Sequence, residues 1–151
     1  MKKKNFFMAL VLGVVSMFAF SACSNEDDGP MVDPASAIQG TYVGHGQLEI
    51  VGLTGMPLEE YAGMKMVVTK SSNEFVVVTP YEADGTPFFA NGNGHVFQIT
   101  QSASGDFMLT SSDKPNCRVS ITKSRAMTYS FPYVSVGGES GYALTFTGSR
   151  Q

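Results

Sequence analysis

From Ile38 to Gln151 apolar residues recur at every second position, in short runs that Gly, Asn, Asp, Ser or Pro interrupt about every eight to twelve residues. No apolar pattern of helical period lasts more than about two turns. A period of two matches a pleated strand, whose side chains alternate between faces, so the chain predicts an all-β domain. The first run puts Tyr42, Leu48 and Ile50 on one face and Thr41, His45, Gln47 and Glu49 on the other. Gly44 and Gly46 lie between the apolar residues, where a glycine marks a bend or bulge. Met64-Met66-Val68 and Phe75-Val77-Thr79 flank the polar loop Lys70-Ser71-Ser72-Asn73 and read as an antiparallel hairpin.

Turn signals at Asp84-Gly85 and Asn91-Gly92-Asn93-Gly94 precede a run with His95, Phe97 and Ile99 facing inward. Phe107/Leu109, Cys117/Val119/Ile121, Met127/Tyr129/Phe131 and Tyr142/Leu144/Phe146 complete eight runs, with Phe88-Phe89 as a candidate ninth. Consecutive hairpins close most simply into an up-and-down barrel, which leaves no exposed edge; a two-sheet β-sandwich is the alternative. Met56-Pro57-Leu58-Glu59-Glu60-Tyr61-Ala62 breaks the rhythm, with Pro at a first helical position and acids in the first turn, and predicts a short helix. The 151 residues, 43% hydrophobic and 15% charged, suit one globular domain.

The N-terminus reads as an address. Lys2, Lys3 and Lys4 precede an apolar run, Phe6 to Phe20, too short to cross a bilayer and right for a secretory signal. Phe20-Ser21-Ala22-Cys23 resembles the lipobox of bacterial lipoproteins, which implies cleavage after residue 22 and acylation of Cys23, with palmitate among the chains attached. An ordinary secretory signal cut at Ala22, or an uncleaved anchor helix, is the alternative. The acidic tether Ser24-Asn25-Glu26-Asp27-Asp28-Gly29-Pro30 resembles the surface-export tag of Bacteroidota lipoproteins; the alternative is a solvated linker. The expected organisation is a signal peptide over 1–22, a lipidated tether over 23–34 and a barrel domain over 35–151. The expected location is the outer membrane, anchored by lipid and facing the exterior.

Cleavage would leave 7 Lys+Arg against 13 Asp+Glu, a balance of −6. No basic patch is left to follow a phosphate backbone, so nucleic acid is not an expected partner. With Cys23 acylated, Cys117 has no partner within the chain and stability rests on the core.

Ile38-Gln39-Gly40-Thr41-Tyr42, the insertion before the second run, the meander and the closing Leu144-Thr145-Phe146-Thr147-Gly148-Ser149-Arg150 together resemble the calycin superfamily, in particular lipocalin-like lipoproteins of Bacteroidota. Lipocalins carry Gly-x-Trp where this chain has Gly40-Thr41-Tyr42. The resemblance implies a structural plug in which Arg150 packs over Tyr42 at the closed end. It also implies a ligand site on the inward faces, with Gly52 to Gly63 as a lid.

Catalysis needs titratable groups held together, and the domain offers two His, one free Cys and scattered carboxylates. His45 falls on a polar face; His95 faces inward, as a hydrogen-bonded core residue or a ligand contact. Cys117 reads as a small core residue, since nothing brings His95 to it as a base. No catalytic residue, metal site or cofactor is expected, and the chain does not read as an enzyme. A barrel of about eight strands is either filled by its own side chains or able to hold one small ligand. The first reading is a binding module for a small hydrophobic ligand in a pocket lined by Met64, Met66, Phe75, His95, Phe97 and Tyr129. The second is a filled barrel that acts through its loops, with Pro132-Tyr133-Val134-Ser135-Val136 as a contact segment.

Overall fold

The structure is a computed structural model that describes residues 33–51, 58–134 and 141–151. The leader, Cys23 and the tether up to residue 32 lie outside the described residues. A short helix, α1 (Pro34–Ile38), leads into β1 (Gly40–Val51), β2 (Glu59–Lys70), β3 (Phe75–Tyr81) and β4 (His95–Gln101). β5 (Phe107–Thr110), β6 (Arg118–Ile121), β7 (Ala126–Val134) and β8 (Gly141–Arg150) follow. Each strand pairs antiparallel with its neighbour in sequence, and β8 returns to β1 over ten residue pairs from Tyr42↔Arg150 to Val51↔Gly141. The closed ring is an up-and-down barrel, not the alternative sandwich. Phe88-Phe89 is not a ninth strand: beside an isolated bridge between Tyr81 and Pro87, these residues belong to the β3–β4 loop.

Alternation decides which side chains fill the barrel. Tyr42, Met64, Met66, Phe97, Leu109, Val119, Ile121, Met127, Tyr129, Phe131, Leu144 and Phe146 are buried, while Thr100, Thr110, Thr128, Thr145 and Thr147 on the opposite faces are exposed. A strand barrel that spans a bilayer needs the reverse, apolar outward and polar inward. The described barrel therefore carries the sidedness of a water-exposed domain.

Two expectations fail here. β3 faces the other way: Val76, Val78 and Pro80 are buried, Val77 is half-buried and Phe75 is 37% exposed. The pairs Val68↔Val78 and Met66↔Pro80 force this, because directly opposed residues share a face and Met66 and Val68 point inward. The expected helix over residues 56–62 is also absent from its described part. Glu59 to Ala62 instead continue β2, pairing with Leu48 to His45 of β1. One turn of helix would carry the nucleation penalty unaided, whereas the strand gains a full ladder partner. Gly63, at φ +74, absorbs the extra residue as the register shifts between Gly44 and His45, a bulge that bends the hairpin.

The barrel has two unlike ends. At one lie the start of β1, the end of β8 and the β2–β3, β4–β5 and β6–β7 turns; α1 plugs it. Asp33 caps the helix by accepting from the Ser36 N–H at 2.9 Å, and Pro34 occupies its first turn. Ala35 and Ile38 are fully buried. The Lys70 ammonium, 2.8 Å from the Asp33 carboxylate, fastens the cap to the end of β2. The opposite end carries the β1–β2, β3–β4, β5–β6 and β7–β8 connections.

Candidate functional site

The interior is filled where a pocket was expected. A side chain beside a water-sized void keeps accessible surface, yet Met64, Met66 and Phe97 are 0% exposed and Tyr129 2%. These four are core residues. Phe75 lies on the outer wall, against Val96, Gln98 and Thr110. Of the six expected pocket residues His95 lines a cup of about 580 Å³ that the described residues form at the open end, and Phe75 lines a smaller hollow of about 200 Å³ on the outer wall.

The cup is built by two connections and three strands. Phe89, Ala90, Asn91, Asn93 and Gly94 come from the β3–β4 loop, His95 begins β4, Asp113 and Lys114 come from the β5–β6 loop, and Phe131 and Tyr142 come from β7 and β8. The loop holds its shape through local bonds: the Phe88 N–H donates to the Pro80 carbonyl at 3.0 Å, the Gly92 N–H to the Phe89 carbonyl at 2.8 Å and the Asn93 N–H to Asn91 Oδ1 at 3.3 Å. Gly94 is held close to β3, since a Cβ there would lie 2.2 Å from Thr79 Oγ1 and 2.8 Å from the Val78 carbonyl oxygen.

Aromatic rings form the floor. His95 stacks on Phe131 with centroids 4.6 Å apart and planes 16° from parallel. Phe89 meets His95 edge-on at 5.7 Å and tilts against Phe131 at 5.7 Å and Tyr142 at 6.0 Å. The chain of rings continues outward through Phe88 to Tyr61 and inward from Phe131 to Tyr129. Phe131 is 2% exposed, so the rings offered to solvent are those of the half-buried Phe89, His95 and Tyr142. Contacts of this kind stabilise by about 1 kcal/mol each beyond the area they bury and keep the floor rigid.

The cup's charges oppose one another. Burial, then the Lys114 ammonium, lowers the His95 pKa, against a smaller pull from Asp113, so the imidazole is neutral at pH 7. The Asp113 carboxyl is held ionised chiefly by the hydrogen bond it accepts from the Ser111 hydroxyl. One carboxylate and one ammonium thus line the cup, together with the amides of Asn91 and Asn93.

Tyr42 and Arg150, the expected plug, lie opposite each other at the closed end. Both grip α1: the buried Tyr42 hydroxyl donates to the Ile38 carbonyl at 2.7 Å and Arg150 Nη1 to the Ala37 carbonyl at 3.2 Å. Gly40, at φ +138, makes room for this, because a Cβ there would sit 2.8 Å from Arg150 Nε. Cys117 is buried and desolvation pushes its thiol up to about 11, a poor nucleophile. The Tyr129 hydroxyl faces that thiol and makes no hydrogen bond of ordinary geometry. Among the described residues no group of three His, Cys, Asp or Glu is placed to hold a metal ion.

The expected lid is likewise revised, since Glu59 to Gly63 belong to β2; residues 52–57 lie outside the described residues. Of the expected contact segment, Pro132 to Val134 are part of β7, paired with Ala143 to Gly141 of β8, and Ser135 and Val136 lie outside the described residues.

No family model and no curated protein matches the sequence. A solved structure from Bacteroides fragilis, described as that of a candidate outer membrane protein, matches at a TM-score of 0.55 with 12% identity over 79% of this chain. The chain spans 53% of that structure's length. At this identity the likeness establishes the shared barrel fold.

Proposed function

We propose that the protein is an envelope-anchored binding module that takes a small amphipathic ligand in the cup at the open end of its barrel. The observation that carries this reading is the cup itself. About 580 Å³ falls within the range of small-molecule sites, and the cup pairs an aromatic floor with a few converging polar groups. The filled interior revises the hydrophobic pocket toward a mouth-bound, amphipathic guest. Acylation of Cys23 supplies the anchor. The chain enters the barrel at Asp33, ten residues beyond Cys23, at the closed end. The Bacteroides fragilis likeness supports an envelope location, and Glu26, Asp27 and Asp28 are the residues proposed to direct export to the outer face.

Native against denatured mass spectrometry of the gently purified chain tests the cup. The expected result is a mass excess that denaturation releases and that Phe89→Ala, at a half-buried ring of the cup, reduces; a bare-chain mass from every source, the native host included, refutes the reading. Metabolic labelling with palmitate tests the anchor, and label retained by Cys23→Ser would overturn it.

A further inference from the structure

Resting on the cup as the binding site, we infer that its ligand is a neutral saccharide. Three observations select this class. First, the cup brings together Asp113 as acceptor, Lys114 as donor and two side-chain amides, Asn91 and Asn93, that can do both. A purely apolar guest would cover these groups without offering a partner to the donors and acceptors that the Ser111 hydroxyl and the Asn93 N–H leave open, a cost that opposes its binding. Second, the charges in the cup cancel: Asp113 is ionised, Lys114 is cationic and His95 is neutral near pH 7. An anionic guest would meet Asp113 and a cationic one Lys114, so neither gains over a neutral molecule. Third, the half-buried rings of Phe89, His95 and Tyr142 form an apolar wall braced from behind by Phe131.

The complementary molecule is neutral, rich in hydroxyls that both donate and accept, and has a flat C–H face to lie against an aromatic ring. A pyranose has all three properties. Its axial C–H groups would cover the ring of Phe89 or Tyr142, while its hydroxyls reach the carboxylate, the ammonium and the amides. The cup is open to solvent on its outer side, so the guest can be one unit at the end of a longer chain.

Affinity electrophoresis tests this. The full chain, solubilised in a polyoxyethylene detergent that carries no sugar, is run through native gels cast with soluble starch, xylan, mannan or laminarin. Retardation is expected in at least one gel. It should weaken by about tenfold in apparent affinity for Phe89→Ala, the loss of one ring face, and comparably for Asn93→Ala, whose side chain lies at an exposed turn and leaves the fold intact. Retardation unchanged in both variants overturns the assignment. Free mobility in all four gels, with a Phe89→Ala-sensitive mass excess still present, overturns the saccharide and leaves the cup standing. Free mobility with no mass excess removes both.

Discussion

Met66→Ala distinguishes a filled barrel from a hollow one. Met66 is 0% exposed and sits mid-strand in β2, opposite Tyr42 of β1 and Pro80 of β3, with the neighbouring inward position taken by Met64, also 0% exposed. Truncation removes three heavy atoms from a packed site. The loss combines their transfer free energy with the cavity left behind, about 3 kcal/mol for a buried Met→Ala change. Were Met66 the wall of a ligand pocket, its side chain would already face solvent or a void and truncation would cost well under 1 kcal/mol. Urea unfolding followed by far-UV circular dichroism reads the difference. With m about 1.5 kcal/mol/M for a domain of this size, the midpoint should fall by about 2 M without a change in m. The control is Phe75→Ala on the outer wall, where 37% exposure and absent core contacts predict a fall under about 0.7 M. A Met66→Ala midpoint within about 0.5 M of the parent would refute the filled interior and restore the pocket reading.

Further perturbations test the two ends and the core separately. Tyr42→Phe removes the donor to the Ile38 carbonyl at a fully buried site and should destabilise by about 1 to 2 kcal/mol in the same assay. Cys117 should resist a thiol reagent such as iodoacetamide at pH 8 while folded and react fully in urea, since burial holds its thiol at about 11. Acid should act in two windows. The unfolded chain binds a proton at His95 more readily than the folded one, so stability should fall as pH drops below 6.5, and His95→Phe should flatten that slope. Asp33, lowered from 3.8 to about 2 chiefly by Lys70, contributes stability above 3.8 that is lost as pH falls toward 2, and Asp33→Asn should remove this second slope. Replacing Glu26, Asp27 and Asp28 with Ala should leave the protein hidden from protease on intact cells; unchanged digestion refutes their role in export.

The barrel was legible because alternation is local: Met64-Met66-Val68, Phe97-Ile99 and Leu144-Phe146 each declare their inward face without reference to a partner. β3 was not, because Phe75-Val77-Thr79 and Val76-Val78-Pro80 are both plausible inward sets and only pairing with β2 decides between them. Bulk favoured Phe75, and register overruled bulk. The helix over residues 56–62 and the real one at Pro34–Ile38 show the same limit in reverse. Both are a single turn opened by Pro, and what stabilises α1 is tertiary: the Asp33–Lys70 pair and the grip of Tyr42 and Arg150 on its last carbonyls. The cup was largely invisible. Asn91-Gly92-Asn93-Gly94 reads as a turn, which it is, and nothing local says that it brings Phe89 to Phe131 and Tyr142, residues forty and more positions away.

Filling the barrel and placing a cup at its mouth are linked consequences of one sequence. The closed end is secured by a buried plug, so its residues, Ala35, Ile38 and Tyr42, are fixed by packing. The interior layers above it hold Met64, Met66, Phe97 and Tyr129, each 2% exposed or less. Above Tyr129 the strands pair less completely: β3 meets β4 only from Phe75↔Gln98 to Val78↔His95, and β5 meets β6 over three pairs ending at Leu109↔Val119. The β3–β4 and β5–β6 connections that fill these shortfalls are the ones that supply Phe89, Asn91, Asn93, Asp113 and Lys114. A rigid aromatic floor therefore passes gradually into polar loops, the arrangement in which loop sequence can change what is bound while the barrel beneath stays constant. On the proposed function, the determinants of binding would lie at residues 89–95 and 113–114 and the determinants of folding below them. Exchanging Asn91, Asn93 and Lys114 together for Ala should thus alter ligand capture and leave the urea midpoint within about 0.5 M of the parent. A large fall in that midpoint would show that the loops hold the barrel closed, and the separation of roles would be wrong.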